Sequence, residues 1–141
     1  MEEVQYPKSL IFPASEIKID FENKSTVNRT QSSIIIEGNP NGFLSFSNII
    51  NVYSAYLYDP IVVTQFPFVQ SSLKFEIIED DNLFVSGFVI KESASHFKWK
   101  ISEINLCQVI CHLLSLGYAN KELHFDTDLQ VSDISVYCVI K

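Results

Sequence analysis

Gly38-Asn39-Pro40-Asn41-Gly42-Phe43-Leu44-Ser45-Phe46-Ser47-Asn48-Ile49-Ile50 is where the chain changes period, and that change decides the fold. Gly38 to Gly42 is an unbroken run of turn-forming residues. Just before it, Ser33-Ile34-Ile35-Ile36-Glu37 is a short β-branched run suited to a strand. Just after it, Phe43, Phe46, Ile50, Tyr53 and Leu57 recur at intervals of 3, 4, 3 and 4, the spacing of one helix face. Ser47, Asn51, Ser54 and Tyr58 fall on the opposite side, so the spacing predicts a helix with one buried and one exposed face. Asp59-Pro60 stops it, because proline lacks the N–H that would continue the ladder.

Working outward, Glu16 to Phe21 reads as a strand, and the polar stretch Glu22 to Gln31 as a loop. Beyond Pro67 the period becomes two. Leu73, Phe75 and Ile77 alternate with Lys74 and Glu76; Glu79-Asp80-Asp81-Asn82 is a polar turn; Leu83 to Ile90 is apolar on both alternating sets; Phe97-Lys98-Trp99-Lys100-Ile101 alternates strictly. These three segments are expected to form an antiparallel meander whose middle strand is covered on both faces. A second helix is expected from about Ser102. Its polar stripe is Asn105, Gln108, His112 and Ser115, its apolar face Leu106, Ile110, Leu113 and Leu114 with Cys107 and Val109 at the flanks, and its C-cap Gly117. Strands at Leu123–Asp126 and Ile134–Ile140 finish the chain. The expected order is β-β-β-α-β-β-β-α-β-β. The fold class is therefore α+β: a single domain over residues 1–141, mainly antiparallel sheet with two principal helices packed on it.

Composition narrows the function. The 141 residues are 47% hydrophobic and 19% charged, which rules out a disordered chain. Seventeen acids against 10 bases leave a formal charge of −7, divided between the halves: 7 acids and 4 bases up to residue 70, then 10 and 6. Such a surface repels nucleic acid and anionic membrane and attracts a basic partner. No apolar stretch approaches a membrane span, and the N-terminus carries acids where a secretory leader carries bases, so the expected compartment is the cytoplasm. Three cysteines fit reduced thiols better than a disulfide framework.

No catalytic motif emerges. Cys107-x-x-x-Cys111-His112 places two thiols on one helix, and His124 and Cys138 are the residues that could complete a tetrahedral metal site. The spacing matches no zinc ribbon or finger, and cysteines at such positions are usually small buried hydrophobes, so no metal and no cofactor is assigned. His96, His112 and His124 lie near no nucleophile motif. Glu76-x-x-Glu79-Asp80-Asp81 is crowded and hydrated rather than paired across a cleft. Acids of this kind, with nearby aromatics, suit contact with a basic protein. The candidate partner-binding residues are Tyr58, Glu79, Asp80, Asp81, Trp99, Asp126 and Asp128.

The turn Gly38-Asn39-Pro40-Asn41-Gly42 leading into Phe43-Leu44-Ser45-Phe46-Ser47-Asn48-Ile49-Ile50 resembles the small acidic bacterial immunity proteins of contact-dependent-inhibition and related polymorphic toxin systems. Helices in that group often open Gly-Leu-x-x-Leu-Ala, and Gly42-Phe43-x-x-Phe46-Ser47 occupies those places, with two aromatics for the leucines and Ser47 for the alanine. The resemblance covers about twenty residues, and the whole chain only in size, acidity and α+β order. It implies a non-enzymatic, single-domain cytoplasmic protein that binds a cognate toxin domain, often a basic nuclease, and blocks it. The competing readings are a small-ligand module or small enzyme with a pocket between helices and sheet, and an assembly subunit.

Overall fold

The turn at Gly38–Gly42 is built around Asn39. The computed structural model describes residues 7–26, 29–54, 60–80, 87–118, 122–125, 127 and 134–141. In it, Asn39 caps the first helix, α1 (Pro40–Ser54): its Oδ1 accepts from the Gly42 N–H at 2.7 Å and from the Glu16 N–H at 3.0 Å. Pro40 takes the first helical position, where its missing N–H costs nothing. Asn39 Nδ2 donates to the Ala14 carbonyl at 2.7 Å, and Asn41 Nδ2 to that of Pro13 at 2.8 Å. The turn thus starts the helix and clamps the N-terminal arm. A Cβ at Gly42 would stand 2.4 Å from the Glu16 carbonyl oxygen, so this close approach demands glycine.

The arm changes what α1 does. Residues 8–10 form a 3-10 turn, and Leu10 and Ile11 pack on the core. The Phe12 N–H donates to Ser45 Oγ at 2.7 Å, and Ser15 and Ser45 share a hydroxyl bond of the same length. Along the first part of α1, Phe43, Leu44, Ser45, Phe46, Ser47, Ile49 and Ile50 are all buried, Ser45 beneath the arm. Ser47 Oγ satisfies itself on the Leu44 carbonyl at 3.0 Å. Of the expected exposed stripe, Asn51 is exposed, whereas its first member, Ser47, is inside, because small hydroxyls can be buried once hydrogen-bonded. Tyr58 lies outside the described residues.

The described residues form nine strands, in chain order β1 (Ile17–Thr26), β2 (Arg29–Gly38), β3 (Ile61–Val62), β4 (Val69–Gln70), β5 (Lys74–Glu79), β6 (Phe88–Ser93), β7 (His96–Ile101), β8 (Glu122–Phe125) and β9 (Ile134–Ile140); the second helix, α2 (Glu103–Tyr118), stands between β7 and β8. They make a five-stranded sheet, β4-β1-β2-β9-β8, and a four-stranded sheet, β3-β5-β7-β6. Both are mixed. β1–β2, β3–β5, β6–β7 and β8–β9 are antiparallel; β1–β4, β2–β9 and β5–β7 are parallel.

Three expectations are corrected here. β5, β6 and β7 are not a meander: β5 pairs β7 in parallel and β6 lies beyond β7 at the sheet edge. Alternation reports which face a side chain takes, not which neighbour a strand takes. The polar stretch after Phe21 is not a loop, since the β1–β2 ladder runs out to Thr26↔Arg29. Backbone hydrogen bonds carry a hairpin through polar sequence. Gly117 is not past the end of its helix, since α2 continues to Tyr118.

One hydrophobic cluster draws on both sheets and both helices, so the chain is a single α+β domain. The inner faces meet where Phe21 packs on Phe97, with ring centroids 4.7 Å apart, and where Trp99 packs on Phe125 at 5.5 Å. α1 joins through Phe46 against Phe66 at 5.6 Å. α2 contributes Leu106, Val109, Ile110, Leu113 and Leu116. At about 1.5–3 kcal/mol for each large apolar side chain buried, this cluster is the main favourable term of folding.

Candidate partner-binding face

Of the seven predicted contact residues, Glu79, Asp80 and Trp99 are among the described residues. Glu79 is exposed at the end of β5, and Asp80 follows it half-buried, its N–H donating to the Ile101 carbonyl at 3.0 Å. Asp81, Asp126 and Asp128, like Tyr58, lie outside the described residues. Trp99 is corrected: it is 1% exposed and stacked on Phe75 at 6.3 Å, deep in the core and away from any partner. The strict alternation of β7 sends Phe97, Trp99 and Ile101 inward and His96, Lys98 and Lys100 outward.

Residues do assemble on the outer face of the five-stranded sheet. Alternation in β1 puts Ile17, Ile19 and Phe21 inside and Lys18, Asp20 and Glu22 outside. The register then sets these in rows across β1, β2 and β9. One row runs Lys18–Glu37–Val139, the next Asp20–Ile35–Tyr137, the third Glu22–Ser33–Ser135. Glu122 of β8 continues the first row beside Val139. Ile35, Tyr137 and Val139 are half-buried at the centre, and Asp20, Glu22, Glu37 and Glu122 surround them.

The polar groups on this face are held in place. Lys18 Nζ lies 3.6 Å from the Asp20 carboxylate, and Lys141 Nζ 3.3 Å from that of Glu37. Exposed pairs of this kind contribute about 0–1 kcal/mol each, so they orient more than they stabilise. Ser33 and Ser135 share a hydroxyl bond at 2.8 Å. The Tyr137 hydroxyl donates to the Glu122 carboxylate. That hydrogen bond, with desolvation and the nearby negative charge adding to it, raises the Tyr137 pKa above its ordinary value. Among the described side chains, four carboxylates stand against two lysines around an aromatic and aliphatic centre. At the Lys18–Glu37–Lys141 end the face runs into a cleft of about 520 Å³ walled also by Gly38, Pro67 and Phe68.

The outer face of the four-stranded sheet is different in kind. Glu76, expected to be hydrated, is instead 5% exposed there, with Lys74 Nζ at 3.6 Å, His96 Nε2 at 3.5 Å and Lys98 Nζ at 4.0 Å. Lys98 also reaches Glu92 at 3.4 Å. His96 Nε2 is buried with no hydrogen-bond partner. A buried carboxylate needs such compensation, and Lys74 and Lys98 supply it. The cluster sits on a sheet face and lines no part of the cleft.

Among the described residues no group of three or more His, Cys, Asp or Glu is placed to hold a metal ion. Cys138 is wholly buried in the inner face of β9 while Cys107 and Cys111 are exposed, so they share no tetrahedral site. The expectation that these cysteines are buried holds for Cys138 alone. No described helix is long and apolar enough to cross a membrane.

The turn behind the resemblance has packing roles throughout. Gly42 admits the Glu16 carbonyl, Phe43 and Phe46 are core, and Ser47 is bonded to its own helix. No family model, no curated protein and no solved structure matches the chain.

Sequence reasoning missed the outer face because it weighed acids by their density along the chain. Asp20, Glu22, Glu37 and Glu122 are scattered in sequence and become neighbours only through the β1–β2, β2–β9 and β8–β9 registers. The signal available was the alternation Ile17-Lys18-Ile19-Asp20-Phe21-Glu22.

Proposed function

We propose that this protein binds and neutralises a basic protein domain in the cytoplasm, in the manner of small immunity proteins, and that the outer face of the five-stranded sheet is its contact surface. The observation carrying this reading is the placement of Asp20, Glu22, Glu37 and Glu122 around Ile35, Tyr137 and Val139 on one sheet face. Interfaces concentrate energy in a central aromatic or aliphatic anchor inside a polar rim. A negative rim steers a positive partner and speeds association. A sheet with paired strands is rigid, so little ordering entropy is lost on binding. The net charge of −7 supports the same polarity of partner. The partner class is a basic toxin domain, a nuclease above all, since nucleases carry the positive surface that nucleic acid requires.

The test is co-expression with the protein encoded immediately upstream. The reading expects a complex that survives purification at moderate salt and protects the host from that protein's toxicity. Failure to bind or protect, at low and moderate salt alike, contradicts it.

A further inference from the structure

The side of α2 turned from the core carries Ile104, Cys107, Gln108, Cys111, His112 and Ser115, all exposed. After Glu103 the helix contains no Lys, Arg, Asp or Glu. Cys107 and Cys111 are both free thiols open to solvent. They stand one turn apart on one helix face, where Cβ atoms are about 5–6 Å from each other. A disulfide between them needs about 3.5–4.5 Å, so while α2 is a helix the two thiols cannot join each other. Two metal–sulfur bonds of about 2.3 Å, as in thiolate zinc sites, do span that gap with an ion between the sulfurs.

Among the described residues the site supplies two sulfurs. The third cysteine is buried in β9, and no third His, Cys, Asp or Glu joins the pair among the described residues. Structural zinc takes four ligands, so zinc is not the ion this pair suits. Soft thiolates at low coordination number suit a soft monovalent ion.

We propose that Cys107 and Cys111 form a two-thiolate site for a soft monovalent ion of the Cu(I) class. Two S–H bonds break and two S–Cu bonds form: two thiols and one Cu(I) give a bis-thiolate of charge −1 and release two protons. No oxidation state changes. The site lies on α2, apart from the sheet face assigned above to the protein partner, and does not depend on that assignment.

Anaerobic titration of the full chain with Cu(I), supplied as its acetonitrile complex, tests this by the sulfur-to-copper absorption in the near ultraviolet. The expected result is saturation at one ion per chain, with two of the three thiols then protected from a thiol reagent. Cys107→Ser and Cys111→Ser should each abolish saturable binding at one ion per chain, since a two-ligand site then loses half its ligands, while far-ultraviolet circular dichroism stays unchanged because both positions are exposed. Cys138→Val should bind as the parent does. Binding retained in either single serine variant, a stoichiometry of one ion per two chains, or loss of binding in a folded Cys138→Val variant overturns the proposal.

Discussion

The Tyr137 hydroxyl donates to the Glu122 carboxylate across the β8–β9 pair, at the centre of the acidic sheet face. The bond raises the tyrosine's pKa above its ordinary 10.0 because the carboxylate accepts from the neutral phenol and repels the phenolate. A raised folded-state value means that ionisation opposes folding. The stabilisation is therefore complete below 10.0 and is lost as pH rises through the raised value. In Glu122→Gln the tyrosinate absorbance of this residue should develop at lower pH than in the parent, and the parent's extra stability relative to the variant should shrink on that same rise. Coincident titration curves for parent and variant would remove the bond.

Asn39→Ala deletes the cap of α1 and two of the bonds that hold residues 14–16. Loss of a cap alone costs about 1–2 kcal/mol. Urea denaturation should show at least that loss, and limited proteolysis should open the arm before the core. A fall in stability without faster cleavage of the arm would separate the two roles assigned to Asn39.

Gly87 has φ +61°, and a Cβ there would meet the Lys100 carbonyl oxygen at 1.9 Å. Both the conformation and the space require glycine, so Gly87→Ala should cost about 2 kcal/mol or more. Thermal unfolding checks it; an unchanged melting temperature contradicts the described start of β6.

Trp99 is the single tryptophan and is buried among Phe75 and Phe125. Its emission should be blue-shifted in the folded state and move red on unfolding. Trp99→Ala should cost about 3–5 kcal/mol through the cavity it leaves. Native emission already at the wavelength of hydrated tryptophan would place the ring on the surface, as the sequence pattern alone allowed.

Thiol reactivity separates the cysteines in one assay. Cys107 and Cys111 are exposed and should react promptly in the native protein. Cys138 is buried, and burial pushes its thiol far above the ordinary value, so it should react only on unfolding. Three fast thiols in the native state would contradict the β9 packing.

Both helices were legible because each keeps one apolar stripe for several turns, and Phe43, Phe46 and Ile50 lie where that stripe predicts. Period two found the faces of β5, β7 and β9 equally well. Strand neighbours were not legible: nothing local distinguishes β5 paired to β7 in parallel from a meander, since pairing depends on the path between strands. Burial of Ser45 was hidden for a related reason, being imposed by an arm some thirty residues upstream. The proposed contact face shares this difficulty. Glu22 and Glu122 are a hundred residues apart, and only the order β1-β2-β9-β8 brings their strands into one sheet.

The central claim is that this sheet face meets a basic partner, and association kinetics address it most directly. Stopped-flow rates for the upstream-encoded domain, measured from low to moderate salt, should fall steeply with ionic strength for the parent protein. Asp20→Lys with Glu122→Lys should slow association by roughly tenfold or more at low salt and flatten that dependence, whereas Asp80→Lys, on the other sheet, should leave both nearly unchanged. Rates and salt dependence that survive the Asp20 and Glu122 reversals intact would contradict the account.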